Sequence, residues 1–175
     1  MTDATQEQGP TAAAPWLALE RQVRHHGTGL VAEQLHGCWR LEQVWPRGSD
    51  RAAVTSGWLL RGLAARLVIA AAAEGSALQV SNAVQLGPLQ LRFLGQGRLQ
   101  GQRPLLLFQF NQLQVRWGAR LLLQRPLPPP TPQRQPFFAL IARTASGCLV
   151  ARGRGGGLAL WQRAADGEAW PNSQG

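Results

Sequence analysis

The chain has 175 residues and a mass of 19.0 kDa, enough for one domain with a core that needs no staples. Its residues are 45% hydrophobic and only 15% charged, which excludes an intrinsically disordered chain. Seven Arg and seven acids balance over residues 1–87, whereas residues 88–175 hold eleven Arg against Asp166 and Glu168 and carry the whole net charge of +9. No lysine occurs, and no carboxylate lies between Gly75 and Ala165. A positive field of this kind suits anionic lipid surfaces, nucleic acid or acidic proteins.

Residues 1–15 show no periodicity and read as a polar, disordered tail. Trp16, Leu19, Val23, Leu30, Val31 and Leu35 suggest a helical face that Gly27 and Gly29 break, predicting two short helices or one interrupted helix. After Gly37 the period becomes two, and Trp39, Leu41 and Trp45 predict a strand. A turn follows over Pro46 to Asp50. Val54 to Leu63 fits helix or strand equally. Arg66 to Ala72 and Ala77 to Leu86 read as strands around a turn at Glu74-Gly75-Ser76, and Leu89, Leu91 and Phe93 mark the next. Gly95 to Pro104 is polar and glycine-rich and reads as a loop or irregular hairpin.

Leu105 to Trp117 carries a conflict. Leu106, Phe108 and Phe110 share one parity, and Leu113, Val115 and Trp117 share the other. Successive strand side chains point to opposite faces, so a bulge or bend near Asn111-Gln112 is predicted. Arg125 to Pro136 is a proline-rich connector that cannot be a central strand. Phe137 to Ala142 reads as a strand. Leu149 to Arg152 and Leu158 to Trp161 form a closing hairpin around Gly153 to Gly157. Residues 164–175 read as a second tail. The whole is a short helical lead followed by about eight strands, the spacing of sandwiches and barrels.

The chemistry of most enzyme classes is missing. A phosphate loop needs a Lys after its glycines, and no serine sits in a Gly-x-Ser-x-Gly elbow. His36 and Cys38 share one strand face, but His25, His26 and Cys148 add no zinc spacing, so no metal site is expected. The two cysteines suggest reduced thiols in a cytosolic compartment. The start has acids and no apolar core, unlike a secretory signal. The longest clean apolar run within Trp58 to Ala73 is Leu67 to Ala73, too short to span a membrane.

Four segments together resemble the plastid lipid-associated protein, or fibrillin, family. Leu35-His36-Gly37-Cys38-Trp39-Arg40-Leu41 is similar to its opening Leu-x-Gly-x-Trp-x-Leu, and Leu78 to Val84 to its mid-domain strand with a central Asn. Leu91-Arg92-Phe93 is similar to the next strand, and Arg152 to Leu160 to the closing Arg-Gly-x-x-Gly-x-Leu hairpin. Ser146-Gly147-Cys148-Leu149 replaces the family's acidic, aromatic stretch, and Gln43-Val44-Trp45 its Tyr-Thr-Ser.

The resemblance implies a cyanobacterial-type member whose domain, residues 16–163, is a lipocalin-like antiparallel β-barrel. It implies a non-enzymatic protein without cofactor that binds a lipid, carotenoid, quinone or tetrapyrrole-like molecule. It would lie in the cytoplasm against thylakoid membrane or lipid bodies. Trp58, Phe93, Phe108, Phe110 and Trp117 are the candidate ligand-facing residues, each equally suited to plain core packing. Arg92, Arg98, Arg103, Arg116 and Arg120 are the candidate membrane-surface cations. Trp39 and Arg152 are expected to close the barrel as a cation–π pair. The alternatives are a basic single-stranded nucleic-acid binder, for which the signature motifs are missing, and a small-molecule enzyme of unknown type.

Overall fold

A computed structural model describes residues 12–49, 51, 66–73 and 77–165. Trp58, the Val54 to Leu63 segment and the Glu74-Gly75-Ser76 turn lie outside these.

Helix α1 spans Ala14–His26. Pro15 opens it, as a proline at the first turn loses no needed N–H. The helix therefore takes in two residues expected in the tail, and Ala13 before it is fully buried. Trp16, Glu20 and Val23, spaced by four and three, form its buried stripe. Gly27, at φ +75°, ends it, donating its N–H to the Val23 carbonyl at 2.9 Å. A Cβ there would lie 2.6 Å from the Gln102 carbonyl oxygen, so only glycine fits. A 3-10 turn at Ala32–Leu35 follows, giving the broken helical lead that the sequence predicts.

The strands are β1 (Gly37–Trp45), β2 (Arg66–Ala71), β3 (Leu78–Leu86), β4 (Leu89–Gln100), β5 (Leu105–Trp117), β6 (Arg120–Pro126), β7 (Phe137–Arg143), β8 (Cys148–Gly153) and β9 (Leu158–Arg163). All pairings are antiparallel. Strands β1-β2-β3-β4-β5-β7-β8-β9 pair in turn, and β9 returns to β1, so eight strands close a ring. Strand β6 stands outside it, paired among the described residues only with β5. The sequence reading leaves β6 out. Its Pro126 stands at the end of an edge strand, where no ladder N–H is needed.

Two apolar clusters sit on opposite sides of this wall. Inside lie Leu35, Trp39, Leu67, Ile69, Leu78, Val80, Leu106, Phe108, Leu140, Leu149, Ala151 and Trp161. Outside, α1 lays Trp16 and Val23 over Trp45, Ile141, Val150, Leu158 and Leu160. The register of β1 against β9 slips between Leu41 and Gln43, which turns Trp45 outward while Trp39 stays inside.

The expected bulge in β5 is present. Leu94 faces Gln112, the next residue Gly95 faces Phe110, and Asn111 is left over. Its carbonyl accepts from the Leu127 N–H at 2.8 Å. Gly95 to Gln100 is not loop, however, but the second half of β4. The glycines there answer to crowding. A Cβ on Gly95 would fall 1.9 Å from the Gln109 carbonyl oxygen, and one on Gly97 2.8 Å from Val80 Cγ2.

Candidate functional site

Strands β3, β4 and β5 outrun the ring. Strand β2 reaches β3 only from Leu78 to Ala83, and β7 reaches β5 only at Leu105 to Leu107. Past these limits β3, β4, β5 and β6 form a four-stranded wing with its own two faces. Its tips are the turns at Gly87-Pro88 and Gly118-Ala119, tied by the Gly118 N–H donating to the Pro88 carbonyl at 2.7 Å.

The Asn111 bulge decides which face is apolar. It keeps Leu113, Val115 and Trp117 on the side of Phe110, the interior side. Leu86, Leu91 and Leu123 share that face by register. Towards the tip this apolar row leaves the core and meets solvent: Leu86 is 60% exposed, Trp117 55% and Leu123 50%. Leu121 and Leu122 on β6 are also exposed. Arg120 and Arg125 flank them, and the whole of β6 is solvent-facing.

The opposite face is polar. It carries Gln85, Gln90, Arg92, Gln114, Arg116 and Gln124, with the Gln114 amide donating to Gln124 Oε1 at 3.3 Å. Where this face meets the ring wall it forms a hollow of about 500 Å³ between β2 and β5, lined among others by Gln79, Ser81, Arg92, Gln96, Gln114 and Arg116. Burial, with the charge of Arg116 added, holds the Arg92 guanidinium below its ordinary pKa. Arg116 is anchored by donating Nη2 to the Ala119 carbonyl at 2.8 Å. Arg92 makes no hydrogen bond or ion pair among the described residues, and its Nε is fully buried.

The candidate ligand-facing residues divide. Phe93, Phe110, Phe108, Phe138 and Trp161 form a continuous interior stack, with successive ring centroids 5.6, 5.4, 5.1 and 5.1 Å apart. Trp117 continues the same face but stands at the wing tip, away from the stack. Of the candidate membrane cations, Arg92, Arg116 and Arg120 gather on the wing. Arg98 is exposed further down β4, opposite Leu107. Arg103 is not a surface cation: it donates Nη2 to Glu20 Oε1 at 2.8 Å.

The expected Trp39–Arg152 pair does not form. Arg152 shares the outward face of Val150, under α1, and Trp39 lies inside the ring. The sheet itself separates them. Arg152 donates Nε and Nη2 to the two Glu20 oxygens at 2.8 and 2.5 Å and Nη1 to the Gly156 carbonyl, while Trp39 Nε1 donates to the Leu35 carbonyl at 2.8 Å.

Sequence reasoning missed Glu20, an acid on an otherwise apolar helix stripe whose burial was its only signal. It also missed β6, although Leu121-Leu122-Leu123 between Arg120 and Arg125 is plain in the sequence. No helix among the described residues is long and apolar enough to cross a membrane. Comparison with protein-family models, with curated proteins and with solved structures finds no match to this chain.

Proposed function

We propose that this is a non-enzymatic, lipid-associated protein of lipocalin-like barrel architecture, related to the plastid lipid-associated proteins, that docks its wing tip-first onto an anionic, photosynthetic-type membrane. The observation that carries the reading is the exposed row of Leu86, Leu91, Trp117 and Leu123 beside Leu121 and Leu122, flanked by cations in a segment without a single carboxylate. Contiguous exposed apolar surface rimmed by polar groups marks an interaction site. Burying the exposed half of each large side chain contributes about 1 kcal/mol, and each Arg near an anionic surface about 1 kcal/mol more. The four side chains of the row, with Arg120 and Arg125 paired to Trp117 and Leu113 on the same face, then give roughly 6 kcal/mol before ordering costs.

The apolar face also runs without a break from the tip, through Leu91 and Leu113, to Phe93 and Phe110. That continuity supports a path by which a lipid, carotenoid, quinone or tetrapyrrole-like guest passes between membrane and barrel interior, where Phe93, Phe108 and Phe110 would meet it.

Two measurements test this. Cosedimentation with phosphatidylcholine vesicles, with and without phosphatidylglycerol, should show binding that needs the anionic lipid and weakens with salt. The double variant Leu122→Asp/Leu123→Asp, on an exposed edge strand, should abolish it with an unchanged melting temperature. Equal binding by wild type and variant, or tighter binding to a single-stranded oligonucleotide than to any vesicle, would overturn the reading. Mass spectrometry of an organic extract of the purified protein tests for the guest.

A further inference from the structure

We infer that the hollow on the polar face of the wing is a binding site for a tetrahedral oxyanion of the phosphate-ester class, clamped between Arg92 and Arg116. The two arginines leave the same face of β4 and β5. Arg92 faces Gln114, and Arg116 is two residues further along. Diagonal neighbours of this kind have Cα atoms about 7–8 Å apart, a span that lets two guanidinium groups grip one anion from two sides.

Three features make the hollow suited to an anion. Among the described residues it is lined by two cations and no carboxylate, together with the neutral hydrogen-bonding side chains of Gln79, Ser81, Gln96 and Gln114. Arg92 is half-buried yet lacks a counter-charge or acceptor among the described residues, although a buried polar group ordinarily has one. Arg116 is already fixed by the Ala119 carbonyl, so little order remains to be imposed on it. The charge of Arg116 acts against that of Arg92, a repulsion that a bound anion removes.

The source of the anion follows from the wing. Arg116 lies one residue from the exposed Trp117, and Arg92 three ladder steps below the Leu86–Leu89 pair at the tip, about 10 Å along the strands. A lipid whose chains lie beside the tip would present its phosphate at that depth. This assignment of source rests on the proposed membrane docking, whereas the site itself does not.

The test uses the whole chain and two probes. Titration with soluble glycerol phosphate reads the hollow alone, and Arg92→Gln is expected to lower its affinity roughly tenfold or more. Vesicles of equal surface charge, made anionic by phosphatidylglycerol or by a fatty acid, read the headgroup. Wild type should prefer the phosphate lipid, Arg92→Gln should bind both alike, and Leu122→Asp/Leu123→Asp should lose the vesicles while keeping glycerol phosphate. Absence of glycerol phosphate binding, or binding that survives Arg92→Gln, overturns the site. Glycerol phosphate binding without any preference among vesicles leaves a site for a free anion and overturns the lipid source. Loss of vesicle binding alone counts against the docking and not against the hollow. Arg92→Lys separates the planar fork from charge, and full retention of affinity would count against the clamp.

Discussion

Replacing Glu20 by Gln is the sharpest test of how the helix is fixed to the ring. The carboxylate is 2% exposed and joins three elements. Arg152 of β8 meets both oxygens, Arg103 of the β4–β5 turn meets Oε1 at 2.8 Å, and Arg24 of α1 meets it at 3.3 Å. Burial pushes this carboxyl up, but the hydrogen bonds and charges of Arg152 and Arg24 more than offset that and hold it below the usual carboxylate range. Removing one partner of a buried pair costs about 3–5 kcal/mol. The lower end applies here, because the Arg152, Arg103 and Arg24 side chains keep 22%, 26% and 53% of their exposure. In a domain of this size about 3 kcal/mol lowers the melting temperature by roughly 6–12 °C. The contribution of a depressed carboxylate is complete above its unfolded pKa and disappears as pH falls through the folded one. Thermal melts followed by circular dichroism should therefore show a gap between wild type and Glu20→Gln at neutral pH that closes in acid. A variant that melts with wild type at neutral pH, or a gap that persists unchanged into strong acid, would refute the reasoning.

Three further expectations follow from packing. Gly95→Ala places a methyl 1.9 Å from the backbone oxygen of Gln109, which cannot rotate away, so the loss of unfolding free energy in urea should exceed the about 1–3 kcal/mol of ordinary overpacking; an unchanged urea midpoint would contradict the strand geometry. Phe108→Ala removes the middle of the interior stack and should cost about 3–5 kcal/mol, read from the same unfolding curves. Trp39→Phe leaves the buried Leu35 carbonyl without its donor, costing about 1–3 kcal/mol, and amide exchange over residues 32–36 should quicken.

Much of the fold was legible because strand periodicity is a local signal. The parity conflict around Phe110 and Leu113 located the bulge to the residue pair, since only an extra residue reconciles two apolar rows of opposite parity. Gly95 and Gly97 misled for the opposite reason. In sequence a glycine means either a turn or a place where another chain segment comes close, and only the neighbouring Gln109 and Val80 distinguish the two. Sequence alone cannot show where Arg103 and Arg152 point, because their acid lies 83 and 132 residues away, beyond any local pattern. Arg152 also shows how a family expectation can fail at one wall: Trp39 and Arg152 are each placed on their strand, and parity puts them on opposite sides. The wing site was half visible, as arginines and a leucine run, but its two-faced geometry needed the pairing of β5 with β6.

Asn111 has a consequence beyond relieving strain in a ladder. Shorten the ribbon by that one residue and every side chain beyond it changes sides: Val115 and Trp117 would turn towards the glutamines, and Gln114 and Arg116 towards the mouth of the ring. The oily track would then stop at Phe110, with cations standing across the opening. A one-residue insertion, neutral in charge and invisible to composition, thus determines whether the protein's inside and its outermost edge share a single greasy lane.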